Sequence, residues 1–321
     1  MFWFRLRMYF LVVLMFAIIY AVVFMVSYSL GLRSFYFYLV LSLAVVFLQY
    51  MLGPKLIEWT MRVRYLKAGE LVHIQNMIKD LAMRAGIPQP RLGISSISLP
   101  NAFAFGRSRS DGRVCVTEGI LRLLNEKELR AVLGHEISHI KNYDVLTLTL
   151  LSIIPLILYR LAWQMMYMGG GSRQRREGAL AVWLIGMLAF LAYFITNLLV
   201  LYASRIREYF ADRGSVSLGN PPHELASALY KLVYGSSRTP REYIHQIEGL
   251  KAFFVNDPSS ALKELRELKE LDANYSGTID REELASLRNK TVRLSTSEKF
   301  LELLSTHPNM LKRIKQLSRW G

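Results

Sequence analysis

Long uncharged apolar runs alternate with charged segments along this chain, and the alternation predicts its organisation. Residues 8–32 carry no charge between Arg7 and Arg33. The same holds for residues 34–54 between Arg33 and Lys55, and for residues 178–204 between Glu177 and Arg205. A further run, 145–159, reaches Arg160 and resumes over 161–168. A helix needs about 20 apolar residues to cross a bilayer core. Three of the runs meet that length, and the one holding Arg160 requires this charge to snorkel or to face protein. The first run is too long for a cleaved leader, and only Arg33 separates it from the next. The pattern predicts a transmembrane hairpin at 1–54, a soluble part at 55–144, a second hairpin at 145–204 and a second soluble part at 205–321.

Between the hairpins the periodicity changes. Residues 69–85 repeat with helical spacing and stop at Gly86-Ile87-Pro88. Residues 91–97, 101–105 and 114–117 read as short strands, the last two separated by the turn-rich stretch 106–112. Asn125 followed three residues later by Glu128 has the form of a capping box, and it opens a helix over 126–143.

Composition sharpens the membrane reading. Of 321 residues, 52% are hydrophobic, high for a soluble domain. The formal charge is +15, but the basic residues are spread along the chain, which argues against nucleic acid. Many flank the apolar runs: Arg5, Arg7, Lys55, Arg62, Arg64, Lys67, Lys141, Arg205 and Arg207. By the positive-inside rule they put the N-terminus and both soluble parts in the cytoplasm. Arg173, Arg175 and Arg176, between the third and fourth runs, oppose that assignment. Cys115 is the only cysteine, so no intrachain disulfide forms.

The predicted helix 126–143 carries His135-Glu136-Ile137-Ser138-His139. HExxH on a helix sets two imidazoles one turn apart on one face, with a carboxylate between them. That supplies two zinc ligands and a general base. Asn142 and Val145 stand where a metzincin would have glycine and a third histidine, so the third ligand must come from elsewhere. Glu208, just after the fourth run, is the best choice, because an antiparallel hairpin would return it to the side of His139. Asp212, one turn further on, could orient a ligand histidine. His73, His223 and His245 have no part in this pattern.

Several segments together resemble the HtpX-type zinc metalloproteases, in the same family as the CaaX-prenyl endopeptidases. They are Ala85-Gly86-Ile87-Pro88, Asn101-Ala102-Phe103-Ala104, Val116-Thr117-Glu118-Gly119, the HExxH, Arg207-Glu208 with Ala211-Asp212, and Thr306-His307-Pro308 with Arg313-Ile314. The resemblance implies one zinc ion held by His135, His139 and Glu208, with Glu136 as general base. It implies a mainly α integral membrane protein with about four transmembrane helices and a gluzincin-like domain carrying a small β-sheet. Asn101, Ala102, Phe103 and Ala104 resemble the family's substrate-binding edge strand. His307 is expected near the oxyanion as a catalytic residue, and Arg313 paired with Asp212. The implied role is cleavage of misfolded or damaged membrane proteins at the cytoplasmic face of the cell membrane. Two rivals are a specific processing protease, such as a prenyl-peptide endopeptidase, and a non-catalytic membrane scaffold with a vestigial site.

Residues 258–294 read as an insertion outside the matched segments. Within it, residues 272–283 fit a twelve-residue EF-hand loop, with helices expected at 262–271 and 282–288. Asp272, Asn274, Ser276, Thr278, Asp280 and Glu283 fall at ligand positions and Gly277 at the turn. Weak calcium binding is the expectation.

Overall fold

The computed structural model describes residues 47, 50–67, 69–169, 176–237, 264, 265, 268, 270–290, 299 and 302–321. Two compact units make up the chain: residues 1–51 with 146–203, and residues 52–145 with 204–321.

In the second unit, residues 52–60 are helical. The elements that follow are β1 (Val63–Tyr65), α1 (Val72–Ala85), β2 (Arg91–Ser95), β3 (Ala102–Phe105), β4 (Arg113–Thr117), α2 (Glu118–Leu123) and α3 (Glu126–Lys141). Two long helices run on from there, α4 (Asp144–Gly169) and α5 (Arg176–Ser217). Then come α6 (Pro222–Ser237), α7 (Arg281–Ser286), a 3-10 turn at Leu287–Asn289, and α8 (Met310–Leu317).

The strands form one sheet in the order β1-β2-β4-β3. β2 and β4 run parallel, while β1 and β3 pair antiparallel with their neighbours. Among the described residues β3 is therefore an edge strand, joined to β4 in the register Ala102↔Val116 and Ala104↔Val114. Side chains alternate across a strand, and the core divides accordingly. Ala102, Val114 and Val116 face a large cluster with Ile78 and Leu81 of α1, Leu133 and Ile137 of α3, Leu229 of α6 and Ile314 of α8. Phe103, Phe105 and Cys115 pack on the other side with Met61, Ile97 and Leu99.

Local chemistry sets the helix ends. α1 stops at Gly86, whose φ of +69° is left-handed, a conformation glycine adopts without steric cost. It begins at Val72, later than the periodicity predicts, because Gly69 and Leu71 also have positive φ. At the start of α3 the capping box is complete: the Asn125 side chain accepts from Glu128 N, and Glu128 from Asn125 N, both at 2.9 Å. α3 ends at Lys141, two residues short of the expected end, because Tyr143 turns left-handed at φ +56°. Arg109 completes that end by donating from Nε to Lys141 O at 2.9 Å while its guanidinium lies over the Tyr143 ring. β1, α2, α6 and α8 are elements the periodicity did not predict.

Small residues let α3 and α5 approach closely. Ser215 Oγ donates to Ala131 O at 2.6 Å. A Cβ at Gly134 would overlap the Asn220 side chain, and one at Gly214 would overlap Ser138 Oγ.

In the first unit, α4 and α5 share a cluster of Ile154, Leu158, Ala162, Met165 and Ala189. Among the described residues one segment, Leu180–Ser217, is long and apolar enough to cross a membrane. The first two predicted spans lie outside the described residues except for 47 and 50–54. The 170–175 loop, the Arg160 side chain and half of the predicted helix 262–271 also lie outside them.

Gly214→Ala tests the helix approach. Overpacking of this kind costs about 1–3 kcal/mol, so thermal unfolding should show clear destabilisation. Adding Ser138→Ala should recover part of it. Wild-type stability of Gly214→Ala would mean that the helices are not in tight contact there.

Candidate metal centre

α3 brings His135, Glu136 and His139 to one face, and α5 brings Glu208 against them. His135, Glu136 and Glu208 are buried and His139 nearly so. One ligand atom from each of His135, His139 and Glu208 falls within 4.8 Å of the others. The two Nε2 atoms are 3.1 Å apart. Glu208 Oε1 lies 3.5 Å from His139 Nε2, and Oε2 lies 3.6 Å from His135 Nε2.

The far sides of both rings face carboxylates. Asp144 Oδ2 is 2.7 Å from His139 Nδ1. Asp212 Oδ1 is 2.9 Å from His135 Nδ1, at an angle short of a well-aligned hydrogen bond. Facing a carboxylate favours the proton on Nδ1 and leaves the Nε2 lone pair aimed inward. Two inward lone pairs beside a carboxylate repel unless a proton or a cation sits among them. Glu208 Oε2 is also buried without an aligned hydrogen bond. This nitrogen–nitrogen–oxygen donor set fits a divalent transition metal, zinc above all, with one position left for water.

Arg313, fully buried, ties the carboxylates together. Its Nε and Nη2 donate to Asp212 at 3.0 and 2.7 Å, and its Nη1 lies 3.1 Å from Glu208 Oε2. His307 Nε2 is 4.0 Å from Glu208 Oε1, and its Nδ1 is 2.9 Å from Thr306 Oγ1. Arg205 holds the turn before His307 by donating from Nη1 to the carbonyls of Glu302, Leu303 and Ser305 at 2.7, 3.1 and 2.6 Å.

Burial pushes the Glu136 carboxyl up. The two histidines and the backbone N–H of Ala104, which hydrogen-bonds it, pull it partly back. Ala104 belongs to β3, so Glu136 and that strand meet. Burial works to lower the pKa of His135, but Asp212 and Glu208 outweigh it and hold the ring up to about 9. His139 is pushed down by burial and by His135.

Most of the residues expected at the site thus come together: His135, Glu136, His139, Glu208, Asp212, His307, Arg313 and the Ala102–Phe105 strand. Asn101, buried at the start of that strand, donates its N–H to Thr117 Oγ1 at 2.9 Å. Sequence reasoning missed Asp144, whose signal was its place as the lone carboxylate between the HExxH and the following apolar run. It also read Arg205 only as a flanking charge, and gave Arg207 no partner beyond its place in the Arg207-Glu208 segment.

The 272–283 loop keeps an EF-hand outline, with Gly277 at φ +76°. Its oxygens turn to the loop's own donors. Asp272 accepts from Ser276 N at 2.8 Å and Gly277 N at 2.9 Å, Glu283 from Ala273 N at 2.8 Å, and Asn274 from Ser276 N at 2.9 Å. Asp280 caps α7 through Glu282 N and Glu283 N, and Ser276 Oγ meets Thr278 Oγ1 at 2.8 Å. Among the described residues, the one set of three His, Cys, Asp or Glu side chains that could hold a metal ion is His135, His139 and Glu208.

This fold and site define a metallopeptidase. The sequence model of Peptidase family M48 matches residues 70–321, and the chain belongs to that family. It is 52% identical over 229 residues to a protease HtpX homolog of Methanothermobacter thermautotrophicus, covering 71% of this chain and 85% of that protein. A protease HtpX homolog of Bifidobacterium longum is 36% identical over 253 residues, 78% of this chain and 83% of that protein. The crystal structure of S. mikatae Ste24p aligns with a TM-score of 0.48 at 16% identity, covering 94% of this chain and 62% of that one.

Metal binding should release a proton. Below a pKa of about 9 the metal-free site holds a proton on His135, which a cation must displace. Affinity should therefore rise about tenfold per pH unit through neutrality and level off above that pKa. Calorimetry at neutral pH in buffers of different ionisation enthalpy should report about one proton released. A value of zero would contradict the charge state derived for His135.

Proposed function

We propose that this chain is a membrane-bound zinc endopeptidase that cleaves extended segments of misfolded or damaged membrane proteins at the cytoplasmic face. One observation carries the reading: the three converging donor groups lie beside a buried carboxylate, Glu136, that meets the backbone of β3 at Ala104.

His135, His139 and Glu208 would hold the zinc ion. When bound, zinc lowers the pKa of water to about 7 and polarises a carbonyl. Glu136 takes the proton from the attacking water at its carboxylate and hands it to the leaving amine nitrogen. Its raised pKa suits it to carry that proton between the two events. An extended peptide would lie along β3 as a further strand, with main-chain hydrogen bonds to the segment Asn101, Ala102, Phe103 and Ala104. Recognition through backbone makes little demand on side chains, so unfolded segments are the natural substrates. His307, on a turn braced by Arg205, would donate to the oxyanion.

The test is metal analysis together with casein cleavage by the purified full chain. Glu136→Gln should retain the metal and lose about 10²- to 10⁴-fold in turnover, the usual contribution of a positioned base. Glu208→Ala should lose most of its metal, while Glu118→Ala, outside the centre, should match wild type. Cleavage by Glu136→Gln at the wild-type rate would sink the mechanism, and full metal loading of Glu208→Ala would remove it from the ligand set.

Orientation can be read from Met83→Cys, since Met83 is 73% exposed and the native Cys115 is buried. The new thiol should resist a membrane-impermeant reagent in intact cells and react after permeabilisation. Labelling in intact cells would put the catalytic unit outside.

A further inference from the structure

We propose that Asp144 and Arg207 are positioning residues of the metal centre, holding His139 in its ligand orientation. The inference rests on the metal reading above and extends it to residues outside the HExxH and the third-ligand carboxylate.

His139 is the more exposed of the two histidines, 15% against 2% for His135. Its Nδ1 contact with Asp144 is also the better aligned of the two ring contacts. Asp144 is the first residue of α4 and follows the left-handed Tyr143 directly. That reversal ends α3 and turns the next carboxylate back toward the last turn of the same helix, where His139 sits. Asp144 is 2% exposed. A carboxylate so deeply buried needs a cationic partner to stay ionised, and its second oxygen, Oδ1, pairs with Arg207 Nη1. Arg207 is itself buried and immediately precedes the ligand Glu208.

His139, Asp144 and Arg207 thus form a chain of the same composition as His135, Asp212 and Arg313. In each, the ligand ring is backed by a carboxylate and the carboxylate by a buried guanidinium. The Asp144 chain fixes the Nδ1–H tautomer, raises the basicity of Nε2 and restricts rotation of the ring. It also links the two ligand-bearing helices, because Arg207 moves with Glu208 on α5 while Asp144 moves with the end of α3.

Asp144 also places a negative charge at the start of α4, which is a purely structural use of a carboxylate. The experiment separates the two roles by reading the metal rather than the fold. Zinc affinity of the full chain in detergent is measured by competition with a chelator, and the visible spectrum of the cobalt-loaded protein reports ligand geometry. Asp144→Asn keeps a side-chain acceptor at the helix start and removes the charge behind His139. It should bind zinc about 10- to 100-fold more weakly, the usual effect of removing such a partner, with an altered cobalt spectrum. Arg207→Gln should weaken binding and Arg207→Lys should recover much of the loss. Arg207→Gln should add little on top of Asp144→Asn, because both act on one chain. If Asp144→Asn does not fold, Asp144→Glu takes its place; it keeps the charge but displaces it, and the same loss is expected. Zinc affinity within twofold of wild type and an unchanged cobalt spectrum in the folded variant would overturn the inference. A wild-type chain that binds no zinc would instead overturn the metal reading beneath it.

Discussion

The close approach of the HExxH helix to the helix bearing Glu208 is the constraint from which the centre follows. Glu208 lies 69 residues beyond His139 in the chain, yet it must stand within ligand reach of both histidines. Side chains of ordinary size at Gly134, Ser138 and Gly214 would force the helices apart. The glycines here are steric requirements of a helix–helix contact, where the mid-helix propensity cost of glycine is offset by the contact itself. The Ser215 hydroxyl then fastens the crossing to the Ala131 carbonyl.

Bringing these helices together buries a dense set of charges. Glu136, Glu208, Asp212, Asp144, Arg207 and Arg313 all sit nearly out of solvent. Unpaired, each would be costly, so their pairing is what makes the arrangement tolerable. The pattern is not symmetric in charge. Arg313 serves two carboxylates at once, Arg207 serves one, and the region still leaves a carboxylate oxygen of Glu208 without an aligned donor. That residual negative potential, with two inward imidazole lone pairs, is the electrostatic shape of a cation site. Stability is not the purpose of such a network. Its use is to hold ligand atoms where burial alone would not leave them.

Much of the catalytic unit was legible in the residues because its signals are local. The Asn125–Glu128 capping box starts the active helix where expected, and Gly86 ends α1 where expected. The HExxH offered two candidate ligands and a candidate base at once. Glu208 was reachable through hairpin reasoning, since an apolar run that returns must bring its far end back. Asp144 was not, because its contact with His139 depends on Tyr143 taking a left-handed turn, and tyrosine gives no warning of positive φ as glycine does. β1 is three residues long and half-exposed, too short for an alternating pattern to show. α6 lies beyond the segments that carried motifs, and only its packing on α3, including Ser227 and Lys231 against the buried Glu128, reveals why it is there.

Cys115 offers a last consequence. It is the chain's only thiol, and it sits at the centre of the sheet, on β4, walled in by Met61, Phe103 and Phe105. Burial pushes its pKa up, so the reactive thiolate form is suppressed. Oxidants and electrophiles that attack accessible cysteines therefore find nothing to modify near the centre. The proposed hydrolytic machinery is built wholly from imidazole, carboxylate and guanidinium groups. A cell under oxidative stress, with damaged proteins accumulating, would keep this enzyme free of the thiol modification that silences cysteine-dependent hydrolases.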